Sequence, residues 1–171
     1  DAEIAALLAR GYACTRIDKD VASTHAAIVS ARDLLAARYG RAPKDVIAFG
    51  LARSAAVALD LAHAWPADCD GLVCAGTEFR DARDPDLLAF GRRGGRLMLL
   101  HGEDDTITPP KRAVAFLESF ERLAGGPVPA AAMARLFIRP GMDHSLRGPA
   151  SGRLDYRDHM ERWLEWTPRR P

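Results

Sequence analysis

The stretch formed by residues 49–59 constrains the fold more than any other part of this chain. The apolar run 46–49 reads as a buried strand that ends at Gly50, and the alanine-rich run 52–64 reads as a helix that follows at once. A strand that passes into a helix within two residues is typical of α/β proteins, in which such a turn presents a side chain at the edge of the sheet. That side chain here is the methyl group of Ala52, which cannot act as a nucleophile.

Composition limits the class of protein before any motif is considered. The chain has 171 residues, of which 48% are hydrophobic and 27% are charged, so it can bury a core as one domain over residues 1–171. The net charge of +1 argues against a nucleic-acid partner, and no apolar run approaches the ~18 residues of a membrane span. Cys14, Cys69 and Cys74 lack metal-ligand spacing, so we expect no metal and no cofactor.

Periodicity predicts alternating helices and strands. The predicted helices are residues 1–10, 21–39, 52–64, 109 or 110 to 123, and 155–166, and the predicted strands are residues 12–17, 46–49, 72–75, 97–100 and 136–138. Residues 76–95 read as a polar connector. The inward face of the helix that ends at residue 123 is predicted to be Val114, Leu117 and Phe120, and the candidate anchors of the last helix are Tyr156, Met160 and Trp163. The order predicts an α/β fold with a mostly parallel sheet of about five strands and helices on both faces.

In such sheets, functional residues lie at the carboxyl ends of the strands. Three of these ends give, in chain order, the position of Ala52, the acids Asp104 and Asp105, and His144. That is the order of nucleophile, acid and base in α/β-hydrolases, whose G-x-S-x-G elbow has serine where this chain has Ala52. An imidazole must take the proton of the nucleophile, and a carboxylate must orient that imidazole.

Several motifs together resemble the tannase and feruloyl esterase family of α/β-hydrolases. Residues 38–43 resemble the family's YYG-x-x-P step into the elbow strand, and residues 50–71 keep its spacing from elbow to next strand. Residues 135–144 resemble its R-x-F-x-x-PGMGHC segment. Residues 8–13, 84–87 and 93–97 resemble further segments of the family. Each match alone is weak, and together they are specific.

The resemblance implies a role for each matching position. Asp105 would be the triad acid, since the family acid lies four residues after the histidine of an HG pair, which is His101 here. His144 would be the base, Ala52 the nucleophile position and the amide of Arg53 the oxyanion donor. The expected substrate would be a small aromatic or aliphatic ester.

Four departures weigh against an intact esterase. Ala52 replaces the serine, and Leu51 and Ser145 replace the two cysteines that join elbow and base loop in the family. Ser54 and Ala55 replace two glycines, which predicts a relaxed elbow. The family's lid domain has no counterpart in the short connector.

The resemblance also implies a strand that would precede the first helix and that residues 1–171 do not supply. We expect an upstream segment or a partner chain to complete the sheet, so that this chain is the C-terminal part of a larger domain. Family members are mostly exported, whereas the missing elbow cysteines and the lack of a signal segment in this sequence leave the compartment open.

These observations favour a domain without serine-esterase activity, a pseudoenzyme on an esterase scaffold. The alternative is an active carboxylic-ester hydrolase that uses Ser54, or a water activated by a catalytic dyad of Asp105 and His144. The same pair could also serve proton abstraction or lyase chemistry on a small carbonyl compound.

Overall fold

A computed structural model describes residues 21–43, 45–65, 68–77, 85–92, 94–123, 134–148, 152–153 and 162–163. The chain divides into two compact units, residues 1–44 and 45–171. The helix predicted at 1–10 and the strand predicted at 12–17 lie outside the described residues, and the single domain over 1–171 stays a prediction.

The described part of the first unit is one helix, α1, Val21–Tyr39, with the bounds that the sequence predicts. Gly40 ends it with a φ of +69°, and its N–H donates to the carbonyl oxygen of Ala36 over 2.8 Å. Glycine adopts this left-handed conformation without a Cβ clash, which makes it a common helix terminator.

A parallel sheet forms the centre of the second unit. Its strands are β1, Ile47–Leu51; β2, Gly71–Ala75; β3, Arg96–Gly102; and β4, Ala134–Arg139. They lie side by side in chain order, with Leu51 opposite Ala75 and Gly102 opposite Arg139. All four carboxyl ends therefore meet at one edge of the sheet. The parallel sheet is confirmed, with four strands among the described residues.

The two central strands are covered on both faces, since every residue of β2 and β3 is buried. Continuous apolar runs such as Leu97–Leu100 suit this position because neither face meets water. Among the described residues β1 lies at one edge of this sheet and buries only alternate residues, Ala48 and Gly50. The predicted burial of the run 46–49 is therefore wrong except at Ala48, because the other three residues are only half-buried.

Helices pack against this sheet. They are α2, Arg53–Ala64, on β1 and β2; α3, Pro85–Arg92, against α2; and α4, Pro110–Leu123, on β3 and β4. The predicted connector 76–95 is therefore wrong over residues 85–92, because two helical turns give too short an apolar pattern to recognise. The buried face of α4 consists of Ala113, Phe116 and Phe120 rather than Val114 and Leu117.

The amino ends of the strands hold a structural cluster. The buried guanidinium of Arg96 pairs with Asp45 and lies 5.7 Å from the ring of Trp163. Trp163 is fully buried, which confirms it as an anchor, although the rest of the predicted helix 155–166 apart from Arg162 lies outside the described residues. These contacts contribute to packing at the amino ends of the strands.

A small antiparallel ribbon follows the main sheet. Its strands are β5, Arg147–Gly148, and β6, Gly152–Arg153. None of the helices among the described residues is long and apolar enough to cross a bilayer.

Candidate functional site

The turn between β1 and α2 has the strained backbone of an elbow. Ala52 lies at its apex with a φ of 51° and a ψ of −117°. Positive φ strains any residue that carries a Cβ, and such strain gathers at functional sites. Gly50 permits the turn because a Cβ there would collide with the backbone of Ala55. The expected relaxation of the elbow is wrong, since the strain persists with Ser54 and Ala55 in place of glycines.

Hydrogen bonds hold the apex against the end of β2. The N–H of Ala52 donates to the carbonyl oxygen of Ala75 over 2.8 Å, and the N–H of Ala55 donates to the carbonyl oxygen of Ala52 over 3.1 Å. No side chain caps the start of α2. Arg53, the predicted oxyanion donor, is the first residue of this helix, so its N–H lies at the positive end of the helix dipole.

Ser54 is exposed at the second position of α2. Between these two described residues, the structure forms no hydrogen bond from Ser54 to His144. The structure therefore does not bring this alternative nucleophile to the imidazole.

The structure does bring Asp105 and His144 together. Nδ1 of His144 lies 3.0 Å from Oδ2 of Asp105, whose side chain is fully buried, while 23% of the His144 side chain is exposed. Because an ionised carboxylate only accepts, we assign the proton to Nδ1, which leaves Nε2 free to accept another. The competing acid, Asp104, is exposed.

Three donors besides His144 hold the carboxylate of Asp105. Oδ1 accepts the N–H groups of Ile107 at 2.9 Å and Thr108 at 2.8 Å. Oδ2 accepts the hydroxyl of Thr108 at 2.6 Å, and that hydroxyl oxygen also lies 3.2 Å from Nδ1 of His144. Sequence reasoning missed Thr108, although an aspartate in a turn often hydrogen-bonds to groups two or three residues further along the chain.

These bonds decide the charge of Asp105. Burial acts to raise its pKa, but the hydrogen bonds from Thr108 and His144, together with the charge of His144, outweigh burial, so the pKa lies below its ordinary value. Asp105 is therefore ionised at neutral pH and can stabilise a positive imidazole.

Glycines allow the base loop to approach the ends of β2 and β3. A Cβ at Gly76, whose φ is +53°, would lie 2.6 Å from the carbonyl oxygen of His144. A Cβ at Gly102 would collide with the carbonyl groups of Met142 and Asp143. Since Ala75 bonds to Ala52 and the next residue, Gly76, contacts His144, the end of β2 joins the elbow to the imidazole.

A second imidazole lies beneath this pair. His101 is buried, and within the described part of the chain neither of its ring nitrogens has a hydrogen-bond partner. Burial lowers the pKa of His101, and the nearby charge of Asp105 opposes this effect only in part. His101 is therefore neutral at neutral pH. The described residues contain no group of three side chains suited to hold a metal ion.

The parallel sheet, the elbow and the acid and base loops define an α/β-hydrolase fold. Esterase PE8 superposes with a TM-score of 0.52 and 20% identity over 85% of this chain and 60% of its own. A truncated carbohydrate esterase from gut microbiota superposes with a TM-score of 0.55 and 14% identity over 85% of this chain and 67% of its own. These identities support the fold alone.

Sequence comparison identifies the family. The model of the family "Tannase and feruloyl esterase" matches residues 75–170, more than half of the chain. Over 88 residues, 52% of this chain, the sequence is 36% identical to the mono(2-hydroxyethyl) terephthalate hydrolase of Piscinibacter sakaiensis, and the match spans 14% of that protein. The chain belongs to the tannase and feruloyl esterase family, as the motifs predict.

Proposed function

We propose that this domain binds carboxylic esters at the elbow but does not hydrolyse them through an acyl-enzyme. The observation that carries the proposal is that the strained apex of the elbow is Ala52, which is connected through Ala75 and Gly76 to the hydrogen-bonded pair of His144 and Asp105. A methyl group cannot attack a carbonyl, and loss of the nucleophile removes several orders of magnitude of rate.

What remains suits the binding of a carbonyl group. The N–H groups in the first turn of α2 lie at the positive end of the helix dipole and favour a partly negative oxygen, and the Arg53 amide would be the donor next to the apex. The relative from Piscinibacter sakaiensis is named as a hydrolase of a terephthalate monoester. By analogy we propose a small aromatic ester as the ligand.

The second candidate is slow hydrolysis by an activated water. It is favoured by the ionised Asp105, which holds His144 with Nε2 ready to accept a proton. In this reaction Nε2 takes a proton from water while the resulting hydroxide bonds to the ester carbon. The carbon–oxygen bond to the alcohol then breaks, and the proton on Nε2 passes to the leaving alkoxide. Hydrolysis by Ser54 has less support, because Ser54 makes no hydrogen bond with His144 within the described structure.

Four proteins test these candidates: the wild type, His144→Ala, Ser54→Ala and Ala52→Ser. Each is assayed with p-nitrophenyl acetate and a methyl hydroxycinnamate, and each is examined for a covalent acyl adduct by mass spectrometry. We expect the wild type to bind the hydroxycinnamate without forming an adduct. Ala52→Ser should form one and hydrolyse p-nitrophenyl acetate at least ~100-fold faster, because the base and acid are already positioned.

The outcomes separate the candidates. Wild-type turnover that disappears in His144→Ala but not in Ser54→Ala, with no adduct, supports the activated water. A wild-type adduct that disappears in Ser54→Ala would overturn the proposal in favour of Ser54.

A further inference from the structure

A short turn that carries His144 is built around the side chain of Asp143. The N–H of Asp143 donates to the carbonyl oxygen of Arg147 over 2.9 Å, and its own carbonyl oxygen accepts the N–H of Leu146 at 3.0 Å. Its Oδ1 accepts two further N–H groups, from Ser145 at 2.8 Å and from Arg147 at 2.9 Å. Asp143 therefore makes four hydrogen bonds within the turn that encloses His144.

This turn contains a conformation that needs support. Leu146 has a φ of +55° although it is not glycine, and its side chain is buried. A left-handed leucine costs about 1–2 kcal/mol, so the turn would open toward a more relaxed backbone if its bonds were removed. The bonds from Asp143 to residues on both sides of Leu146 offset that strain.

Asp143 also connects this turn to residues 103–108, the loop that contains Asp105. The carbonyl groups of Met142 and Asp143 pack on Gly102, the last residue of β3, and the N–H of Asp104 donates to the carbonyl oxygen of Met142 over 2.9 Å. Asp105 follows directly. A backbone shift at Asp143 would therefore change the distance between the His144 ring and Asp105.

We infer that Asp143 is a positioning residue, whose carboxylate closes the turn and thereby holds the His144 ring in hydrogen-bonding distance of Asp105. The inference rests on the proposed function only in treating His144 as the base of the site. The hydrogen bond from Nδ1 is 3.0 Å long, so a displacement of about 1 Å would break it.

The test uses two variants that differ in the acceptor. Asp143→Asn keeps an oxygen at the position of Oδ1, whereas Asp143→Ala removes it. The readout is the downfield proton resonance of His144 Nδ1–H in the NMR spectrum, assigned by its absence in His144→Gln. A role in stability alone would not change this resonance while the protein remains folded.

We expect Asp143→Asn to retain the resonance. In Asp143→Ala we expect the ring proton to exchange with solvent at least ~10-fold faster, since two hydrogen bonds to a charged acceptor are lost. Far-UV circular dichroism establishes that each variant is folded. A folded Asp143→Ala whose ring proton exchanges at the wild-type rate would overturn the inference.

Amide exchange provides a second measurement if Asp143→Ala does not fold. The amides of Ser145 and Arg147 should exchange about fivefold faster in Asp143→Asn than in the wild type, because a neutral acceptor binds less strongly. Equal rates in the two proteins would also overturn the inference. Neither readout requires hydrolysis, so a wild type that proves to be an acyl-enzyme hydrolase would overturn the proposed function and leave this test intact.

Discussion

The N–H of Ala52 donates a 2.8 Å hydrogen bond to the carbonyl oxygen of Ala75, and this bond holds the strained apex of the elbow at the end of β2. The next residue, Gly76, lies so close to His144 that a Cβ would come within 2.6 Å of its carbonyl oxygen. Two backbone contacts thus connect the apex of the elbow to the residue that carries the imidazole.

A methyl group at Gly76 should disturb this connection. Gly76→Ala adds the strain of a positive φ and a clash with the His144 backbone, whereas Gly141→Ala adds only the strain, since nothing lies within 4 Å of a Cβ at Gly141. We expect Gly141→Ala to lower the free energy of unfolding by about 1 kcal/mol and Gly76→Ala to lower it by about 2–4 kcal/mol. Urea unfolding measures both, and equal losses would contradict the contact.

Release of the backbone strain at Ala52 should measurably increase the stability of the protein. Glycine adopts a φ of 51° freely, so Ala52→Gly should raise the free energy of unfolding by about 0.5–2 kcal/mol, after its own entropic cost. Ala56, which is exposed within α2, is the control, because Ala56→Gly should lower the free energy of unfolding by about 1 kcal/mol. If both changes destabilise alike in urea unfolding, the elbow is not strained.

Removal of the Thr108 hydroxyl should expose its role at Asp105. Thr108→Val removes a donor from a buried carboxylate and should lower the free energy of unfolding at pH 7 by about 1.5–3 kcal/mol. Thr108→Ser keeps the hydroxyl and should therefore retain most of the wild-type stability. The measurement is urea unfolding of both variants, and a loss as large in Thr108→Ser would indicate that packing of the methyl group matters instead.

Acid unfolding should also change in Thr108→Val. Because the pKa of Asp105 is lowered, its ionised form stabilises the fold above the ordinary value of about 3.9, and this stability is lost as pH falls through the lower folded pKa. Without the hydroxyl the folded pKa of Asp105 rises toward its unfolded value, so Asp105 contributes less stability at neutral pH and the midpoint of acid unfolding should lie at a higher pH. A pH titration followed by tryptophan fluorescence checks this, with Thr108→Ser as the control.

The buried imidazole of His101 should make stability depend on pH below neutrality. Its pKa is lowered in the folded state, so the unfolded chain binds the proton first, and stability should fall as pH drops below about 6.5. The slope is at most about 1.4 kcal/mol per pH unit. His101→Phe should flatten this slope between pH 6.5 and 5 in urea unfolding series, and an unchanged slope would assign it to another group.

Most of the fold could be predicted from local pattern. The strands β2 and β3 have continuous apolar runs, and burial on both faces gives such runs a strong signal. The end of the helix Val21–Tyr39 could be predicted from the glycine that follows it. The helix Pro85–Arg92 was missed because only Leu88 and Phe90 of its described side chains are buried, and two residues do not define a period.

Only part of the candidate site could likewise be predicted from the sequence. The pairing of His144 with Asp105 followed from chain order and family motifs, because strand ends of a parallel sheet converge. The roles of Thr108, Asp143 and Gly76 did not follow, because each depends on which atoms meet across loops that are distant in sequence.

The sequence by itself determined an alternating α/β chain with alanine at the elbow and a histidine and an aspartate at two later strand ends. Only the tertiary structure decided that the elbow keeps its strain with alanine at its apex. The physical reason is that the φ of Ala52 is set by its bond to Ala75 and by the approach of Ala55 to Gly50, and neither depends on the side chain at the apex.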